Sequence, residues 1–356
     1  MHTDINLFFG EIEKCYASNR PFVVYKKPNS ELVSADIQGT KEVYDLKNFT
    51  ETGFVFAPFN HDSKKIIFPK NKCSSLSALI DPNHELQSAN ENNSFKGFSK
   101  TQAKKNHIEL VQKTIDFIKN NQAEKIVISR KEMLEYSNFN PINVLKRMLK
   151  GYSNAFVYLW FHPAVGLWLG ATPERLINIG QGNFRTMALA GTQIYKGSTK
   201  VKWNDKELHE QQLVTDFILE KIEGYIEEIK IDGPYSVRAG NLLHLRTDIS
   251  GNFQPTVLLK SLINSLYPTP AICGLPKDVA SKYILQNEGY DRSFYSGFLG
   301  ELNMDGSTNL FVNLRCMQLE NNYCSIYVGG GITKDSDPYQ EWEETVSKAE
   351  VIKKVL

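Results

Sequence analysis

The sequence predicts a globular fold that mixes β-strands with amphipathic helices, in a chain of 356 residues. Three observations carry this. The composition is ordinary, 41% hydrophobic and 23% charged, which supplies enough apolar material for a large core. Short runs rich in β-branched and aromatic residues recur between glycines and prolines, as strands do. Longer segments repeat their apolar residues with the 3.6-residue period of helices. The length allows two domains or one large α/β unit. A net charge of +1 gives no electrostatic reason to expect nucleic acid or an anionic membrane as partner. Five cysteines, an odd number without CxxC spacing, speak against a disulfide framework or structural zinc and fit a reducing cytoplasm. The opening residues lack a basic region followed by a sustained apolar run, so no signal peptide is expected. No stretch approaches the length of a membrane span.

Residues 1–100 read as sheet-forming chain without evident chemistry. Pro21–Val33 and Gly53–Phe68 carry strand patterns, and Ser88–Ser99 is polar and turn-rich, a loop. At Thr101 the character changes. Thr101–Asn120 has Ile108, Val111, Ile115 and Ile118 at helical spacing. Ala123–Leu134 is a strand with Lys125 at its start. That lysine is either an edge residue that blunts unwanted pairing or a general base whose pKa is lowered by burial. Pro141–Leu149 reads as a helix and Asn154–Phe161 as a buried strand. Glu174 then lies between two apolar strands. It is either an edge residue paired with Arg175 or a carboxyl of raised pKa, able to act as an acid. Phe184–Gln193 is a strand that ends in a tight turn at Ala190, Gly191 and Thr192.

Lys206–Tyr225 is an amphipathic helix with Leu213, Phe217, Ile218 and Ile222 on its apolar face. Glu207 and Glu210 near its start suit the helix dipole. Ser236–Ile249 reads as one strand, and His244 between leucines has the pattern of a hydrogen-bonded core histidine. Thr256–Leu266 is a short helix, the Pro-Thr-Pro run after it a fixed loop, and Lys277–Asn287 another helix. Glu288 and Arg292 open the next strand segment. Asn309–Leu319 is read as a strand interrupted by Arg315, whose planar fork asks for a carboxylate, internal or from a ligand. Tyr323–Val328 is a strand, and Gly329, Gly330 and Gly331 leave room for a ligand. Asp337 and Pro338 begin a helix. Glu341, Glu344 and Lys348 share one face of it. That face is either solvated and ion-paired or a Mg²⁺ site beside an anion-binding turn.

The pieces KIVISR, GATPE, ALAGT, KELHEQQLV, HL, YPTPAICGLP, EGYDRSFYSGFLG, LR, YVGGGI and EWEETVSK occur in this order from Ala123 to the C-terminus. Together they resemble the chorismate-utilising enzymes, which include isochorismate synthase, salicylate synthase and the synthase subunits of anthranilate and aminodeoxychorismate formation. A lone short motif is weak, but ten in register are specific. The resemblance implies an α+β chorismate-binding fold: a single large domain of stacked antiparallel β-sheets surrounded by helices. Residues 1–100 would be its variable N-terminal part and residues 101–356 the chorismate-binding catalytic region.

It also implies roles. Glu210 and Glu344 are similar to the family's Mg²⁺ ligands, with Glu341 close by. Arg315, Tyr327 and Gly329 resemble the residues that grip the substrate's carboxylates, beside Gly330, with Lys348 adding charge. Leu189, Ala190, Thr192, Ala271 and Ile272 resemble positions around the substrate. Lys125 matches a base that activates water, Glu174 an acid that protonates the departing hydroxyl, and His244 a histidine near that group. Ammonia-using members carry glutamine at the Lys125 position, and the aminodeoxychorismate branch has a nucleophilic lysine in place of Ala190. Tyr267 stands where many members have histidine. The expectation is a Mg²⁺-dependent isomerase, an isochorismate synthase acting on chorismate as a monomer without a glutaminase subunit, for menaquinone or siderophore synthesis. A salicylate synthase and a non-catalytic chorismate-binding protein are the alternatives.

Overall fold

The Phe156–His162 strand sets the pattern of the core. Phe156, Tyr158 and Trp160 enter an aromatic layer with Tyr25, Phe54, Phe56 and Trp168. Val157, Leu159 and Phe161 enter an aliphatic layer with Ile12, Leu145 and Leu167. Successive side chains of a strand point to opposite faces, so an uninterrupted apolar run means that both faces are covered. The computed structural model describes residues 2–81, 94–97, 100–137, 139–254, 258–320 and 322–356.

Among the described residues the strands form two sheets in which every pairing is antiparallel. The first runs Gly274–Leu275, Lys125–Ser137, Tyr323–Ile332, Cys316–Glu320, Gly166–Thr172, Phe156–His162, Phe22–Lys26, Leu32–Gln38, Cys73–Leu79. The second runs Ile226–Ala239, Leu242–Phe253, Asn183–Ile194, Arg175–Gly180, Ser307–Val312, Phe298–Met304, Gly53–Ala57, Ile66–Pro69, Tyr44–Asp45. The aromatic layer draws on strands of both sheets, whose neighbouring rings include Phe156 and Phe311 at 4.4 Å. Helices cover the outer faces. Ile5–Ala17 and Pro141–Gly151 pack on the first sheet, Asp205–Ile222 and Leu259–Leu266 on the second. This is the expected α+β arrangement. All five cysteines are free, and no described helix is long and apolar enough to cross a membrane.

Four expectations about elements need correction. Of the loop read at Ser88–Ser99, residues 88–93 and 98–99 lie outside the described residues, and Ser94–Gly97 is a strand on Lys125–Ser137. Backbone pairing at a sheet edge needs no apolar pattern. The Ala190–Thr192 turn does not end its strand, which continues to Ile194. Gly191 has φ +69° there, and the register shifts between Ala190 and Gln193, a bulge. Ser236–Ile249 is not one strand but a hairpin, Ile226–Ala239 and Leu242–Phe253. Its first strand is an exposed, charge-rich edge, which masks the strand pattern. Asn309–Leu319 is likewise two strands in different sheets, Ser307–Val312 and Cys316–Glu320. The chain crosses between them at Arg315, whose φ is 49°. A left-handed residue turns the chain out of its extended path, and here the pairing of the first strand has already ended at Val312. Thr256 falls outside the described residues; the helix there is Leu259–Leu266.

Candidate active site

The Pro338–Lys353 helix begins as its sequence demands. Asp337 Oδ1 accepts the amides of Tyr339 and Gln340 at 3.0 and 2.9 Å, and Pro338 needs no partner for the N–H it lacks. The helix lays one face on the Tyr323–Ile332 strand, where Lys348 Nζ donates to the Gly329 carbonyl at 2.9 Å. The Asp205–Ile222 helix starts with Glu207, whose carboxylate accepts the Asn204 amide at 3.1 Å. Lys206 and Glu210 lie one turn apart on it, on either side of Glu207.

Three carboxylates converge on two neighbouring glycines. A Cβ on Gly331 would lie 2.4 Å from Glu210 Oε1 and 2.7 Å from Lys125 Cε. A Cβ on Gly330 would lie 3.0 Å from Glu341 Oε2 and 3.8 Å from Glu344 Oε1. At Gly331 the missing side chain leaves the room that the Glu210 carboxylate and the Lys125 stem occupy, and a methyl group there displaces both. Gly331→Ala is therefore expected to leave a folded protein with at least a hundredfold less turnover in the reaction proposed below; near-wild-type turnover in that variant would show that the contact is not needed.

Each carboxylate has its own ammonium. Lys125 Nζ is 2.8 Å from Glu210 Oε1, Lys348 Nζ is 2.7 Å from Glu344 Oε1, and Lys206 Nζ is 2.6 Å from Glu341 Oε1. The Lys125 contact is coulombic and lacks the alignment of a hydrogen bond. Burial raises the pKa of Glu210, but the Lys125, Lys206 and Lys348 charges outweigh it and hold the carboxyl below its usual range. Glu341 goes the other way, raised by burial and then by the neighbouring Glu344 charge. Its Oε2 is buried and has no hydrogen-bond partner among the described residues. Among the described residues no three His, Cys, Asp or Glu side chains gather as a ready-made metal cluster. Mg²⁺ does not require one, because it keeps several waters and takes one or two protein carboxylates plus ligand oxygens. Hard oxygen donors, an unpartnered buried Oε2 and a glycine cradle fit that ion.

Glu174 opens into the same cavity. Burial pushes its carboxyl up to about 7, against the opposing pull of Lys125, Lys348 and Arg315. Arg315 forms no ion pair among the described residues. Its guanidinium donates to the Ala239 carbonyl at 3.3 Å and to His244 Nε2 at 2.5 Å. Burial, then Arg315 and Lys348, hold His244 well below the usual histidine range. The neutral ring donates Nδ1–H to the Gly191 carbonyl at 3.0 Å and accepts Arg315 at Nε2. His244 thus tethers an arginine whose charge is free for an anion.

Leu189, Ala190, Thr192, Ala271, Ile272, Tyr327, Gly329 and Gly330 also line this cavity, with Glu210, Glu344 and Lys348. Tyr327 does so while its hydroxyl donates to Gln318 at 2.8 Å. Lys125 and Glu341 lie behind the lining, next to Gly331 and Gly330. Tyr267 is not part of the lining: its buried hydroxyl meets the Pro58, Phe59 and Ser296 carbonyls. The sequence reading missed Lys206, which sits one helical turn before Glu210. It also missed Val127 and Tyr295 on the wall. Arg292 ties that wall together, donating to the Val127 and Ile272 carbonyls while paired with Glu288. The i,i+4 spacing of Glu288 and Arg292 was the available signal.

The profile of a family described as "Chorismate binding enzyme" matches residues 56–356. The chain is 28% identical over 293 residues to a Pseudomonas aeruginosa protein named salicylate biosynthesis isochorismate synthase, covering 80% of this chain and 61% of that protein. It is 30% identical over 262 residues to isochorismate synthase MenF of Escherichia coli K12, covering 70% and 59%. The solved structure of the menaquinone-specific isochorismate synthase MenF from Escherichia coli matches with a TM-score of 0.75 and 20% identity, over 94% of this chain and 88% of that one. That last likeness is one of fold. The matches span about three fifths of the length of the curated relatives.

Proposed function

Because this chain belongs to the chorismate-binding enzyme family, we propose that it is an isochorismate synthase. The observation that carries the reading is a carboxyl and an amine of opposite roles around one cavity: Glu174 lines it and is pushed up to about 7 by burial, and Lys125, fully buried and paired with Glu210, lies just behind the Gly331 wall, where its charge acts on Glu174. Lys125 takes a proton from a water that attacks C2 of chorismate. The ring double bonds shift, and the C4 hydroxyl leaves as water with the proton given by Glu174. One water enters and one leaves, and the two side chains exchange their protons with solvent between turnovers. Lys125 accepts a proton only as the neutral amine, so its contact with Glu210 must open in the working state. Arg315 and Lys348 meet the substrate's carboxylates, with Arg315 oriented by His244. A nucleophilic lysine is absent at Ala190, and Lys125 favours water over ammonia, so the reading needs no glutaminase subunit.

Glu210 and Glu344 would hold Mg²⁺, with Glu341 reaching it through water. When bound, the ion anchors and polarises the ring carboxylate of chorismate. Glu344→Ala is expected to abolish Mg²⁺-dependent turnover. Glu343→Ala should change it less than twofold, because Glu343 points to an exposed contact with Lys104 at 3.0 Å. Equal losses in the two variants would remove the metal role of Glu344.

The reaction itself is tested by incubating the protein with chorismate and Mg²⁺ and separating the products by chromatography. Isochorismate without salicylate is expected. Fluorescent salicylate would instead identify a salicylate synthase, and chorismate recovered unchanged would identify a binding protein without this activity.

A further inference from the structure

A second cavity, of about 410 Å³, opens at the other end of the loop that walls the active site. Tyr267 and Pro268 line this cavity, whereas Ala271 and Ile272 line the active site. Four lysines enter it: Lys47, Lys65, Lys260 and Lys277. None of them forms an ion pair among the described residues. Three are pinned by main-chain carbonyls instead. Lys65 donates to His61 at 2.8 Å, Lys260 to Lys47 at 3.1 Å, and Lys277 to Asn264 and Tyr267 at 3.1 and 3.3 Å. Three acids lie near: Asp278 lines the cavity with the lysines, Asp62 faces His61 at 3.2 Å, and Glu51 accepts the Lys47 amide at 2.8 Å. Phe49 and Phe298 give the cavity an apolar side.

Lys65 and Lys277 are half-buried and Lys47 and Lys260 exposed; four ammonium groups around one cavity repel one another, and the two half-buried ones also lose hydration. Burial, more than any neighbour, pushes Lys65 and Lys277 below the usual lysine range. The chain as a whole carries only +1, so this concentration is local and not a consequence of a basic composition. A multiply charged anion relieves such a cluster, with one ligand oxygen for each ammonium.

We propose that this cavity is an effector site for a small polyanion, a phosphorylated or polycarboxylate metabolite. Its occupancy changes chorismate use through the Tyr267–Ile272 loop. Lys277 is the link, since it holds the Tyr267 carbonyl and also faces the cavity. The binding part stands without the reaction proposed above; the kinetic part rests on it.

Inorganic pyrophosphate and citrate serve as separate probes in isothermal titration of the full chain, in Mg²⁺-free buffer at constant ionic strength. Saturable one-site binding of at least one probe is expected, undisturbed by saturating chorismate. The dissociation constant should rise at least tenfold in the Lys65→Gln, Lys260→Gln double variant. It should rise about threefold in Lys47→Gln, whose side chain makes no hydrogen bond or ion pair among the described residues. Binding of pyrophosphate alone identifies a phosphorylated ligand, and binding of citrate alone a polycarboxylate. No saturable binding, displacement by chorismate, or unchanged constants in both variants would overturn the site. In turnover assays at fixed free Mg²⁺, the probe that binds should shift the KM for chorismate at least threefold in the wild type and not in the double variant. An unshifted KM in an active wild type overturns the effector role, whereas a wild type without turnover counts against the proposed reaction and leaves the titration to decide the site.

Discussion

Alanine at position 125 is expected to lower kcat for chorismate about a thousandfold while chorismate still binds. General-base catalysis contributes roughly 10²–10⁴ in rate, and no other described amine is as deeply buried at this cavity. Lys125 opens the strand next to the edge of the first sheet, with its main chain in register with Leu275 of the edge strand and its side chain fully enclosed. The ammonium is also the nearest counter-charge of Glu210. Its removal leaves a carboxylate inside the protein, and breaking a buried pair in this way costs about 3–5 kcal/mol. The residual charges of Lys206 and Lys348 soften that cost. The measurement therefore needs circular dichroism to establish the folded fraction, then chorismate titration, then turnover. Turnover above about one tenth of wild type in the folded variant would remove Lys125 from the reaction.

Glu174→Gln is expected to lose activity and gain stability. The amide cannot deliver a proton, so kcat should fall by roughly 10²–10³. The stability gain follows from the direction of the pKa shift. An ordinary glutamate titrates near 4.5, and burial raises Glu174 to about 7 in the folded chain. Between these values the folded protein keeps the proton that the unfolded chain has lost. Stability linked to this group is thus complete below about pH 4.5 and is lost as the pH rises to about 7. The loss amounts to about 3 kcal/mol, at 1.36 kcal/mol per pKa unit. At pH 8 the glutamine variant escapes that penalty, apart from the cost of its own buried amide. Its melting temperature should exceed that of the wild type at pH 8, with the advantage disappearing near pH 5. The wild-type rate should also fall as the pH rises through about 7, since the acid must be protonated. A glutamine variant with full activity, or one less stable than wild type at pH 8, would contradict the assignment of Glu174 as a buried acid.

Much of the cavity was legible because its residues sit in rigid elements with clear periods. Asp337, Pro338 and the Glu341, Glu344, Lys348 face follow from cap chemistry and helix geometry. Their meaning did not follow locally. The same face would read as solvated until Glu210 arrives from another helix across the Gly331 contact. Arg315 was singled out for the right reason, a charge inside an apolar run, but its setting was misread. Neither apolar run around it reveals that the chain leaves one sheet for the other at that point. The Ile226–Ala239 strand was lost for an opposite reason. Its exposed edge carries charge where a half-buried strand would alternate. Lys206 escaped notice because an ion pair with Glu341 depends on a contact 135 positions away, which no periodicity encodes.

The crossover at Arg315 has a consequence for how the protein comes apart. Lys125 and Tyr327 to Gly331 belong to the first sheet, Leu189 to Thr192 and His244 to the second, and Arg315 to the step between them. The cavity is therefore a seam, not a pocket carried by one module. Neither sheet can open locally without separating the groups that act together. Local opening of either sheet is therefore expected to disperse the lining of the cavity.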